Sequence, residues 1–178
     1  MKNRLLPAIA AMLLFAAPSI LCAQDGPPKI QMVNYVGSVQ GSVDASSSKA
    51  GDAVKLTILN DAKLNDGTDV AKGSILEGHI DSITPSEKKS DSKATLTFDK
   101  ISVNGKEIPI RSWILNVGTG SSNGSQSLKK IDGLTSAYSA QETTSGTLTQ
   151  KKKDIKLTDS TQMVVTVAVI PEGVTIQQ

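Results

Sequence analysis

The chain has 178 residues, with 19 Lys and Arg against 17 Asp and Glu, one His, one Cys, two Phe, two Tyr and one Trp. That length supports one hydrophobic core, and so few aromatics exclude a nucleic-acid platform built on base stacking. The core must come from Val, Ile and Leu, which favours strands.

Residues 1–23 read as a secretory signal peptide. Lys2 and Arg4 form a positive start, Leu5 to Ala17 an apolar run, Pro18 a break, and Ala23 a small residue at the cleavage point. An uncleaved anchor across Leu5 to Ala23 is one alternative. A lipid-bearing Cys22 is another, although Ser19 and Leu21 stand where such sites favour Leu and a small residue. Cleavage after Ala23 leaves 155 residues, 17 basic against 17 acidic, with no cysteine. The basic pI of 8.6 is then largely the leader's, and it argues for neither nucleic acid nor an anionic membrane as partner. Disulfides, a thiol nucleophile and cysteine metal sites are excluded from the mature chain.

A polar lead-in spans 24–29, and 30–117 is the first part of a β domain. Its first predicted strand is Ile30 to Val39, followed by a Ser-rich connection from Gly41 to Ala50. In Ala53 to Leu59, Val54, Leu56 and Ile58 alternate with Lys55 and Thr57, the period of a half-buried strand. Asn65-Asp66-Gly67 and Lys72-Gly73-Ser74 are turn signals. Ile75 to Ile83 is the next strand, and Lys88 to Lys93 a charged connection. Ala94 to Phe98 alternates, but Ile101 and Val103 fall on the opposite parity, which predicts a bulge at Asp99-Lys100. Asn104-Gly105 predicts a two-residue hairpin turn, with a return strand from Lys106 to Val117 that carries Trp113 as a packing residue. Pro109 marks an edge or bulge in it.

Residues 118–152 are rich in Ser, Gly, Thr, Gln and Asn. Such composition buries too little apolar surface to offset ordering entropy, so a flexible polar insertion is expected. Lys151-Lys152-Lys153 is read as a solvated run. Closing strands occupy 153–178: Ile155 to Leu157, Met163 to Ile170 and, after Pro171, a short strand through Ile176. The fold class is all-β, a small partly open barrel or a sandwich.

Several strings together carry a resemblance: Gly51-Asp52-Ala53-Val54, Ala71 to Gly78, Phe98 to Ile101, Asn104-Gly105-Lys106 and Ile108-Pro109-Ile110. They resemble the β-barrel domain of TrbI-like proteins, scaffold components of conjugation and type IV secretion channels. The resemblance implies a barrel in which Gly118 to Lys153 takes the place of the family's membrane-crossing helical antenna and Ile155 to Val169 supplies the closing pair. This insertion is too polar to be such an antenna, and the family's long stalk regions have no counterpart in the sequence. A structural or binding module follows better than a channel.

Chemistry is sparse. On a strand through Ile75 to Ile83, Glu77, His79 and Asp81 share one face, a pattern that suits a divalent metal. Same-face neighbours are about 6.5–7 Å apart, so three metal bonds would need help from another strand. There is no Gly-x-Ser-x-Gly elbow, phosphate loop or dinucleotide fingerprint. Asp52 and Asp99 are read as backbone-supporting residues, and Glu107 as a turn residue. No residue is assigned to a catalytic, cofactor or metal site, and no cofactor is expected. The expected function is that of an exported, periplasmic or secreted, envelope-associated β module. It would act as a structural or protein-binding component without catalysis, with membrane contact at most peripheral. The alternative is a metal-assisted hydrolytic enzyme using the Glu77/His79/Asp81 face.

Overall fold

Alternation in the sequence becomes the wall of a barrel. A computed structural model describes residues 32–120, 125–139 and 141–169. The expected signal peptide, the expected lead-in, the start of the first predicted strand at Ile30 and the predicted last strand through Ile176 lie outside the described residues. The first strand, β1, is Val33–Gln40, followed by the short β2 at Val43–Asp44. In β3, Ala53–Ile58, the side chains of Val54, Leu56 and Ile58 are buried while those of Ala53 and Lys55 face water. Two short strands, β4 (Ala62–Lys63) and β5 (Asp69–Val70), pair with each other around the Asn65-Asp66-Gly67 turn. Then come β6, Ile75–Thr84, and β7, Ser92–Val103.

The inferred bulge falls where the parity changes. Glu77 pairs with Lys100 and Gly78 with Phe98, which leaves Asp99 as the extra residue of β7. Ala94, Leu96 and Phe98 point inward before it, Ile101 and Val103 after it. A Cβ at Gly78 would overlap the Thr97 carbonyl oxygen and lie 2.8 Å from Phe98 Cα. The bulge therefore requires glycine opposite it, for close approach and not for backbone angle. Asn104 and Gly105 have φ of 52° and 78°, the pair of positive values that a primed two-residue turn demands. They join Val103 to Lys106 at the start of β8, Lys106–Thr119.

Beyond these lie β9 (Leu134–Ala137), β10 (Gly146–Gln150), β11 (Lys156–Leu157) and β12 (Thr161–Val169). The protein is all-β. Its six long strands close antiparallel in the order β6-β3-β1-β12-β8-β7, with β7 returning to β6. Tyr35, Leu56, Leu76, Phe98, Ile114, Leu148 and Met163 fill the interior and are essentially inaccessible to water. Burial pushes the Tyr35 hydroxyl up to about 12, with the Asp66 charge adding to the effect.

Pro109 explains how the insertion is used. It is the last residue of β8 paired with β7, opposite Lys100. Without an N–H it cannot extend the ladder, and from Ile110 onward β8 pairs with β12 on its other side. The ladder between β7 and β8 ends there, although the six-strand ring itself is closed and not partly open as the sequence suggested. The edge of β7 thus freed, Ser92 to Leu96, is taken by β10, and β9 pairs outside β10.

The expectation for 118–152 needs correction on this point. The segment does interrupt the barrel, but part of it is sheet, with Leu134, Ser145, Leu148 and Gln150 buried. Composition hid this because the drive is external: an exposed β7 edge beside a core needs hydrogen-bond partners. Thr147 and Thr149, strand-forming residues flanking Leu148, supply them.

Ser145 is the joint. Its N–H donates to the Leu96 carbonyl (2.9 Å), and its carbonyl accepts from Ile114 N–H (2.8 Å). Its Oγ accepts from Phe98 N–H (2.7 Å) and lies 2.6 Å from Ser112 Oγ, which donates to the Phe98 carbonyl (2.7 Å). One residue bridges both strands where they part.

Candidate functional site

Two places hold the polar residues singled out by sequence. The first is the outer face of β6. His79 Nε2 lies 3.3 Å from Asp81 Oδ1, and Asp81 Oδ2 accepts from Thr97 Oγ1 at 2.7 Å. Glu77 is drawn away: its carboxylate pairs with Lys55 of β3 at 3.1 Å, the cross-strand neighbour in register. The face therefore brings together two of its three residues. Among the described residues no group of three His, Cys, Asp or Glu side chains converges as a metal site would require.

The remaining residues have structural duties. Asp52 Oδ2 accepts from Lys49 N–H (2.7 Å), closing the turn ahead of β3. Glu107 pairs with Lys100 across the hairpin (3.3 Å). Trp113 is buried beneath Arg111, whose guanidinium carbon sits 5.2 Å from the ring centroid.

The second place is the end of the barrel where β1, β6 and β8 finish. Residues 151–160 cross this end and are stitched to the three neighbouring loops. Gly41 N–H donates to Asp159 Oδ1 (2.7 Å) and Ala45 N–H to the Ile155 carbonyl (2.9 Å). Ser86 N–H donates to Asp154 Oδ1 (2.7 Å), and Lys152 N–H to Asp91 Oδ1 (3.1 Å). Lys151 N–H donates to the Gly133 carbonyl (3.0 Å). Pairing of β11 with β2 adds a short ladder.

Asp44 shows how the carboxylates are spent here. Its Oδ1 accepts from the Ser46 hydroxyl (2.6 Å) and the Ser46 amide (2.9 Å), and its Oδ2 faces Lys156 Nζ (3.2 Å). The hydroxyl, then the amide, then Lys156 hold its pKa down to about 2. Asp52, Asp91, Asp154 and Asp159 likewise accept from backbone amides. Lys88, Lys89, Lys130, Lys151, Lys152 and Lys153 are exposed and make no ion pair among the described residues.

Two shallow grooves run between these loops. One, of about 430 Å³, is lined by Ser86, Ile131, Gln150, Lys153, Asp154 and Lys156. The other, of about 500 Å³, is lined by residues 130–135 and Lys151. Sequence reading found the lysine run and the charged Lys88 to Lys93 connection separately. The signal that could have joined them is the Asp on each side, Asp91 and Asp154, each able to cap the other loop's amides.

Comparison of the chain with known protein families, curated proteins and solved structures gives no match.

Proposed function

We propose that the chain is an exported, envelope-associated β module that serves as a structural or binding component and carries no catalysis of its own. The observation that carries this reading is the interlocking of the loops at one end of a barrel whose interior is filled by apolar side chains. Such a body is suited to presenting a fixed polar surface, not to enclosing a substrate. The leader-like residues 1–23 support export.

Fractionation with intact-mass measurement tests the reading. It expects a chain starting at Gln24, recovered with the envelope and crosslinked there to a discrete protein partner. Cytosolic protein retaining Met1 would overturn it. Stoichiometric metal that disappears in a His79→Ala variant would instead favour metal-assisted hydrolysis at the β6 face.

A further inference from the structure

We infer that the end of the barrel crossed by residues 151–160 docks on a surface of anionic phospholipid headgroups. The inference deepens the envelope reading above by naming the chemistry this end contacts.

The first ground is an asymmetry between acids and bases. Asp44, Asp52, Asp91, Asp154 and Asp159 each accept a hydrogen bond from a backbone amide, and Asp44 and Asp154 are half-buried. Lys88, Lys89, Lys130, Lys151, Lys152 and Lys153 stay exposed. Across the loops 41–52, 85–91, 125–133 and 151–160, nine lysines, all exposed, stand against seven acids, five of them exposed, so this end carries an excess of positive charge. The second ground is backbone conformation. Lys88, Lys89 and Lys152 have φ of 48°, 67° and 58°, and the only other described non-glycine residue with positive φ is Asn104. A residue with a Cβ is strained in this region, where glycine or asparagine sits more easily. Lysine occupies three such positions, all at this end, so charge is placed there against local preference.

The kind of partner follows from what accompanies the lysines. The loops 41–52, 85–91, 125–133 and 151–160 contain no arginine and no aromatic residue. A defined phosphate pocket favours the bidentate arginine fork, whereas lysines act as mobile point charges suited to diffuse negative potential. Among the described residues, the exposed large apolar side chains are Met32, Leu115 and Tyr138, none of them in these loops. A protein interface lacking an apolar or aromatic anchor is poorly held. A charged lipid surface needs no such anchor, and without Trp or Tyr the attachment stays at headgroup level.

Flotation of the purified exported protein with vesicles tests the inference. Vesicles of phosphatidylcholine mixed with phosphatidylglycerol should carry the protein, pure phosphatidylcholine vesicles should not, and added salt should release it. A Lys88→Asn, Lys89→Asn, Lys152→Asn variant keeps residues that tolerate positive φ and should partition at least about tenfold less. Lys63→Gln, Lys72→Gln, Lys106→Gln removes the same charge at the opposite end and should partition as the parent does. Should the first variant melt early, Lys151→Gln with Lys153→Gln, free of positive φ, must show the loss instead.

Equal weakening by both variant sets, equal binding to neutral vesicles, or displacement by inorganic phosphate at constant ionic strength would overturn the inference. So would indifference to anionic vesicles, including the case in which an acidic protein binds this end instead. Vesicle binding by a cytosolic protein would sink the envelope reading alone. An envelope protein that ignores the vesicles would sink this inference alone.

Discussion

The two edges of β7 solve the same problem in different ways. Along one edge it pairs with β6 from Lys93 to Ser102, absorbing two register shifts by bulging. Along the other it is shared, with β8 holding Lys100 to Val103 and β10 holding Ser92 to Leu96. The first edge adjusts by removing atoms, since Gly78 leaves room for the approach of Thr97 and Phe98. The second adjusts by adding hydrogen bonds, since Ser145 and Ser112 satisfy groups that neither strand reaches alone. A continuous ladder tolerates a mismatch where a side chain can be dispensed with, and a broken one needs a polar residue at the break.

The harshest way to break the comparison is deletion of Ser121 to Thr149. Loop length alone costs little, but this deletion strips β9, most of β10 and the joint. The expected outcome is loss of a cooperative thermal transition, measured by circular dichroism. A deletion protein melting within a few degrees of the parent would show that the gap in the β7–β8 ladder closes by itself.

Gly78→Ala tests the other edge. The added methyl meets backbone on β7, not a flexible side chain, so about 3 kcal/mol of destabilisation is expected in denaturant titration. Loss of under about 1 kcal/mol would mean the bulge relaxes readily.

Ser145→Ala leaves the buried Phe98 N–H without its acceptor and should cost about 2 kcal/mol. Chemical denaturation of this variant beside Gly78→Ala ranks the two solutions directly. A smaller effect is expected at the outer flank of the joint, where the Thr95 and Thr147 hydroxyls lie 2.9 Å apart. Thr147→Val should change stability by only about 0.5 kcal/mol, and a large loss would move the joint's weight outward from Ser145.

The smallest effect lies beyond both edges, at the loop crossing the barrel end. Asp44 is held down to about 2 from its ordinary 3.8. Its depressed pKa adds stability wherever the carboxylate is ionised in both states. That contribution is complete above 3.8 and vanishes as pH falls through about 2. The parent should therefore lose slightly more stability than Asp44→Asn across this acid window, read as a difference in urea midpoints.

The same contrast sorts what the sequence made legible. The β6–β7 edge could be read because its determinants are local: the parity change around Asp99 and the Asn104-Gly105 turn are visible in a short window. The β7–β8 edge could be read only in part. Pro109 signalled an edge or bulge, but nothing near it points to Ser145, 36 residues on. The strand character of 146–150 is conditional on the vacancy it fills, and composition describes the segment without the vacancy. The candidate sites divide likewise. Strand periodicity placed Glu77, His79 and Asp81 on one face, but the register that gives Glu77 to Lys55 belongs to the sheet. The lysine-bearing loops were each visible, and their meeting required the closed barrel.

The position of β12 sets the order in which the molecule can be completed. It is the last described strand in the chain, and it lies between β1 and β8. During synthesis, everything through Ser160 can be present while β1 and β8 still lack a common neighbour. Pairing β1 with β12 joins residues more than a hundred positions apart, as Tyr35 with Val165. Such non-local closure is slow compared with hairpin formation. Until it occurs the nascent chain carries two unpaired strand edges, each a template for another copy. A chaperone that keeps those edges apart until the ninth residue of β12 has emerged would suppress aggregation at the stage where the finished barrel's stability has no influence.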